Sequence, residues 1–249
     1  RARAMTQRYP DHVFGWKVLG AALKNSGRHG EALEPMREAV ALAPRDAEAH
    51  NNLGAVLHDL GRMEEAEASY RRALEITPDL ADAHFNRGVT LEALQRTDEA
   101  QRSYRAALAI RPGHADAWNN LGRVLRACSC GEEAAAAFRS ALSIDPTSTQ
   151  TLGNLGMVLH ELGRLADAED CYRRLLAIDP ALAAVHSNLG SILHNLGRAE
   201  EAAACYRHAL GLSPGLAEAH HGLGNTLKSL GRLDEAAESF REAHRLGLG

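Results

Sequence analysis

Residues 115–148 read ADAWNNLGRVLRACSCGEEAAAAFRSALSIDPTS, a 34-residue stretch that recurs in outline along the chain. Its proline, Pro146, belongs to a series: Pro10, Pro44, Pro78, Pro112, Pro146, Pro180 and Pro214, each 34 residues from the next. With proline at position 32, units run 13–46, 47–80, 81–114, 115–148, 149–182, 183–216 and 217–249. Residues 1–12 form the end of a preceding unit, since Pro10 is in register. Position 8 is glycine (Gly20 to Gly224), position 11 leucine (Leu23 to Leu227) and position 20 alanine (Ala32 to Ala236) in every unit. Columns in register with the prolines identify one continuous repeat domain.

One unit is readable in physical terms. Positions 4, 7, 8 and 11 carry helical spacing, and so do positions 20, 24, 27 and 28. The small residues at 8 and 20 let two helices approach, and the usual aromatic at 24 (Tyr70, Tyr104, Phe138, Tyr172, Tyr206, Phe240) fills the space beside them. Glycine stands at position 15 in five of seven units, where a left-handed C-cap is wanted. Proline at 32 ends the second helix, and acids at 19, such as Glu65 and Glu201, suit its N-terminal dipole. A lone helix pair cannot bury both its faces, so the pairs must stack. The expected class is an all-α solenoid of antiparallel helix pairs.

Composition narrows the function. The 249 residues are 45% hydrophobic, which fits a folded chain. Lys and Arg total 28 against 32 Asp and Glu, so the basic excess of a nucleic-acid binder is missing. No apolar run reaches the roughly 20 residues of a membrane span, and the opening Arg1-Ala-Arg-Ala-Met has no signal-peptide core. Without an initiator Met the chain reads as an excerpt. Four cysteines make no disulfide scaffold, so a cytoplasmic setting is expected.

Trp16, Leu19, Gly20, Ala32, Ala39 and Pro44 in one unit, with Trp118, Leu121, Gly122, Ala134, Phe138, Ala141 and Pro146 in another, resemble the tetratricopeptide repeat (TPR). The likeness spans almost the whole chain. It implies a right-handed superhelix whose first helices line a concave face, and binding of other proteins as the usual function. A carboxylate clamp, as in repeats that hold chaperone tails, is not carried over: Ala21 and Asp82 stand where Asn and Lys are needed.

Specific function must sit at positions the fold leaves open. Position 6 reads Asn52, Asn86, Asn120, Asn154 and Asn188 in five consecutive units. A carboxamide donates and accepts at once, so the ladder can pair with the backbone of an extended peptide. With helices about 8–10 Å apart and an extended chain rising about 3.3–3.6 Å per residue, one Asn meets roughly every third ligand residue. The competing reading makes these residues struts between neighbouring helices. The ladder, with Ala184-Val-His-Ser-Asn-Leu-Gly190 and Gly224-Asn-Thr-Leu-Lys228, resembles the asparagine-ladder superhelix of O-GlcNAc-transferase-like proteins, which implies recognition of protein substrates. Glu48, Asp82, Asp116 and Glu218 at position 2, with His58, Arg126, His160, His194 and Lys228 at position 12, form either charged groove rims or ordinary solvated faces.

No phosphate loop, nucleophile elbow or acid–base pair is present, so the segment reads as non-catalytic and without cofactor. His50, His84, His186 and His220 share position 4 with Trp16 and Trp118, which makes them packing residues before metal ligands. Cys128 and Cys130 lack the further ligands of a zinc site. The leading function is a scaffold for an extended peptide or protein segment. The alternatives are the substrate-recruiting array of a larger glycosyltransferase, or a structural array that self-assembles through uncapped ends. Three irregularities stand out: Arg87 at packing position 7, Gln95 and the Ser129-Cys130-Gly131 turn in place of glycine at 15, and Pro35 inside a second helix. The first two predict weakness between the third and fourth units, the last a milder disturbance.

Overall fold

The computed structural model describes residues 2–248, and all the regular structure among them is helical. Residues 1 and 249, at the outer ends of the first and last expected units, lie outside the described residues. The chain divides into two compact units, residues 1–124 and 125–249. The first contains α1 (Ala2–Arg8), α2 (Val13–Asn25), α3 (His29–Leu42), α4 (Ala47–Asp59), α5 (Met63–Ile76), α6 (Ala81–Ala93) and α7 (Thr97–Ile110). The boundary falls inside α8 (Ala115–Ala127). The second unit continues with α9 (Gly131–Ile144), α10 (Thr149–Glu161), α11 (Leu165–Ile178), α12 (Ala183–Asn195), α13 (Ala199–Leu212), α14 (Ala217–Ser229) and α15 (Leu233–Arg245).

Inside either compact unit a first helix packs on its own second helix, as α4 on α5 or α12 on α13. The second helix then packs on the next first helix, as α5 on α6 or α13 on α14. The glycine at position 8 has a direct cause. A Cβ on Gly54 would lie 2.7 Å from Cε1 of Tyr70, and one on Gly88 2.6 Å from that of Tyr104. The ring of position 24 occupies the space of a side chain at position 8, and Tyr70, Tyr104, Phe138 and Tyr172 are all but fully buried.

The turn between paired helices is equally constrained. The N–H at position 16 returns to the carbonyl at position 11, as Arg62 to Leu57 and Arg198 to Leu193, both at 2.9 Å. That closure needs a left-handed residue at position 15, which Gly61, Gly163 and Gly197 supply. Gln95 and Ser129 adopt the same geometry with φ of 58° and 60°. A side chain there is strained by about 1 kcal/mol or slightly more. Gln95→Gly and Ser129→Gly should each raise the melting temperature, by about 1 kcal/mol in stability. Thermal denaturation of the two variants checks this; an unchanged or lower midpoint would show that the turns carry no strain.

The other irregularities resolve differently. Arg87 is not left alone at its packing position. Its Nε and Nη2 donate to Oε1 of Glu67 at 3.0 and 2.8 Å, and the Glu67 side chain is only 5% exposed. Pro35 is buried within α3, and the helix runs through it unbroken to Leu42. Met5 on α1, Tyr9 just after it and Phe14 on α2 stay exposed, as does Leu233 on α15.

Acids at position 19 do more than suit a dipole. Arg62 forks onto Glu65 at 2.6 and 2.7 Å, and Arg198 onto Glu201 at 2.8 and 2.7 Å. Cys130 stands where the other units have this arginine. Arginines at position 25 extend the pattern between repeats: Arg207 reaches Glu235 at 3.4 Å and Arg139 reaches Asp167 at 3.7 Å. These exposed pairs add little stability singly.

Candidate peptide-binding face

Position 4 sets the entry of each first helix. Trp16 donates from Nε1 to the Pro10 carbonyl at 2.7 Å, and Trp118 to that of Pro112 at 2.8 Å. The histidines repeat the contact: Nε2 of His50, His84, His186 and His220 lies 3.1, 2.9, 2.9 and 3.0 Å from the carbonyls of Pro44, Pro78, Pro180 and Pro214. A carbonyl only accepts, so Nε2 carries the proton. In the fifth unit Leu152 has no such donor, and Arg174 Nη2 approaches the Pro146 carbonyl at 3.4 Å. The four histidines therefore tie a proline turn to the helix that follows it. His50→Phe should lower stability by about 1 kcal/mol, whereas His50→Trp, which restores an N–H, should recover most of it. Equal melting of the two variants would contradict the role.

The asparagine ladder does not behave uniformly. All five residues are half-buried. Within residues 1–124, Asn86 Nδ2 donates to Oδ1 of Asn51, on the preceding first helix, at 3.1 Å. Asn120 Oδ1 accepts from Arg123 at 3.3 Å, and its carboxamide bonds the Tyr104 hydroxyl. Burial and a hydrogen bond to Glu92 hold that phenol well above its ordinary pKa, so it stays protonated. Asn86 and Asn120 are thus committed in part to bridging repeats. Asn52, half-buried on α4, makes no such bridge among the described residues, and Asn154 is itself engaged.

Asn188 stands in a different setting. It lines a trough of about 790 Å³ between the first helices α12 and α14. Hydroxyls of Ser187, Ser191 and Ser229, carboxamides of Asn195 and Asn225, and the rings of His194 and His221 line the rest. Its floor is Tyr206, whose phenol burial pushes up to about 12, so the hydroxyl keeps its proton. The trough exists because small residues face it. A Cβ on Gly222, the last unit's position 6, would lie 2.4 Å from Tyr206 Cζ. The ring takes the place that asparagine holds in the five preceding units.

The charged rims are largely occupied by the chain itself. Glu48 accepts from Lys17 at 2.8 Å, and Asp82 from Arg111 at 2.7 Å. Arg126 forks onto Glu161 at 3.1 and 2.7 Å, and His58 sits 3.7 Å from Asp59. Asn195 approaches His160 at 3.2 Å, and Thr226 approaches His194 at 3.1 Å. Asp116, Glu218 and Lys228 are exposed and make no ion pair among the described residues. The structure gathers Asn188, His194, Glu218 and Lys228 into one trough. Asn225, Ser191 and Asn195 join them from positions 9 and 13, which lie on the first-helix stripe but do not repeat from unit to unit.

Among the described residues no group of three or more His, Cys, Asp or Glu could hold a metal ion. Cys171 is buried, and that burial pushes its thiol up to about 11, away from thiolate chemistry. No described helix is long and apolar enough to cross a membrane.

The model of the tetratricopeptide repeat matches residues 45–112, 113–181 and 181–247, and a second TPR model matches 20–61. The chain belongs to the tetratricopeptide repeat family. Among solved structures it is similar to YrrB, described as a TPR protein with an unusual peptide-binding site. That match has 24% identity and a TM-score of 0.71, covering 75% of this chain and 96% of YrrB. PilF of Pseudomonas aeruginosa is 26% identical with a TM-score of 0.65, covering 83% of this chain and 95% of PilF. MamA is 22% identical with a TM-score of 0.62, covering 64% and 93% respectively. A search of curated proteins found no match. These likenesses establish the TPR fold, and they lend nothing to the resemblance to O-GlcNAc-transferase-like proteins.

Proposed function

We propose that this chain is a protein-interaction scaffold that holds an extended segment of a partner protein on the face of its first helices. The observation that carries the reading is the trough between α12 and α14. It is large, polar and lined by side chains that both donate and accept. Such a surface suits the alternating N–H and C=O groups of an extended backbone. It offers little apolar area for a drug-like ligand, which needs a mostly hydrophobic pocket. The peptide-binding site named for YrrB supports the reading by analogy of fold. Self-assembly through the ends draws on no feature of this trough, and a substrate-recruiting array of a larger enzyme would use the same face.

The test is selection of twelve-residue peptides from a random library on the full chain, followed by two blocking variants. Ser187→Trp fills the trough and should abolish binding of the selected peptides. Ala204→Trp places equal bulk at an exposed second-helix position and should leave binding intact. The opposite pattern would put the binding surface on the second helices and overturn the proposal.

A further inference from the structure

The trough carries more than a capacity for peptide backbone, because its two unpaired charges have a fixed separation. Glu218 and Lys228 lie ten residues apart on α14, one in its first turn and the other in its last. At 1.5 Å per residue that is about 15 Å. Both are exposed, both line the trough, and neither has an ionic partner among the described residues. Elsewhere the rim charges Glu48, Asp82 and Arg126 are consumed by Lys17, Arg111 and Glu161, while Asp116 makes no ion pair among the described residues but stands outside the trough. The last repeat thus presents an anion at one end of the cavity and a cation at the other, with hydrogen-bonding groups between.

We propose that the trough selects a dipolar segment: an extended stretch with a basic side chain facing Glu218 and an acidic side chain facing Lys228. An extended chain covers about 15 Å in four to five residues, so the two charges of the ligand stand four or five positions apart. The segment lies along α14, between it and α12, with its backbone against Asn188, Asn225 and Ser187. Wrong partners are refused as well as right ones accepted, since a like charge at either end is left facing its own kind. This inference rests on the reading of the first-helix face as the binding surface and adds what that face discriminates.

The experiment is the same random-peptide selection on three proteins: the wild-type chain, Lys228→Glu, and Glu218→Lys/Lys228→Glu. Both charges are exposed, so none of these changes threatens the fold. On the wild type, selected peptides should carry one basic and one acidic residue four or five apart. Lys228→Glu should weaken those peptides roughly three- to fivefold, the scale of an exposed ion pair, and select for two basic residues instead. The double reversal should again select dipolar peptides, but with the acidic side chain facing position 218 and the basic one facing position 228, the reverse of the wild-type order. Peptides that Ser187→Trp blocks but that show no charge pattern would overturn this inference and leave the scaffold reading standing. Peptides that Ser187→Trp does not block, or no selected peptides at all, would overturn both.

Discussion

Replacing Glu67 with alanine should cost about 2–3 kcal/mol. Glu67 sits on α5 with its side chain 5% exposed and takes both hydrogen bonds from Arg87 of α6 on one oxygen. Arg71 approaches its other oxygen at 3.5 Å. Removing the acid leaves Arg87, only 22% exposed, without its main partner. Breaking a fully buried pair costs about 3–5 kcal/mol, and the partial exposure of Arg87 lowers the figure. The pair is nevertheless dispensable. Six of the seven units place leucine at position 7, and alanine recurs at position 21. Glu67→Ala combined with Arg87→Leu should therefore melt at or above the wild type, since apolar packing replaces a desolvated ion pair. The cycle is read by thermal unfolding, with amide exchange over residues 85–100 as the local probe. A single variant as stable as the wild type, or a double variant worse than the single, would show that the pair is not what joins α5 to α6.

The second large effect concerns binding. Asn188→Ala with Asn225→Ala should weaken a peptide selected on this chain by roughly ten- to a hundredfold, at about 0.5–1.5 kcal/mol per lost hydrogen bond. Melting should hardly change, because alanine is the better helix former and neither carboxamide bridges a helix. Asn86→Ala and Asn120→Ala should do the reverse. The first frees the Asn51 oxygen and the second strips the Tyr104 hydroxyl of a partner, so both should lower stability. Thermal melts and calorimetric titration separate the two classes. A uniform response of all four positions would mean that position 6 has one role throughout.

The period of 34, the glycine at 8 and the ring at 24 were legible in the sequence because packing repeats whatever packs. The contact of position 4 with a proline carbonyl was half legible: Trp and His alternating in one column share only an N–H at the far edge of a ring. The pairing of Arg87 with Glu67 was not legible, because it joins position 7 of one unit to position 21 of another, and neither residue recurs with the other. The trough was hidden for the opposite reason. Reading columns favours what recurs, whereas Ser187, Ser191 and Asn225 break their columns, and Gly222 looks like a gap in the asparagine ladder. The gap is where the floor of the trough lies, since Tyr206 fills the space a side chain would need. Within the ladder, Asn86 and Asn120 bridge repeats and Asn188 lines the trough, a difference of setting that one recurring residue type does not reveal.

On the proposed function, the first-helix face reads peptide backbone. Titrating a selected peptide and its mid-chain N-methylated form into the wild-type chain tests this most directly. N-methylation removes a donor without changing any side chain, so it should weaken binding about tenfold or more at a residue facing Asn188 or Asn225. Side-chain changes to alanine at uncharged peptide positions should matter far less. Equal affinity of the methylated and unmethylated peptides would contradict the claim and return the trough to side-chain recognition alone.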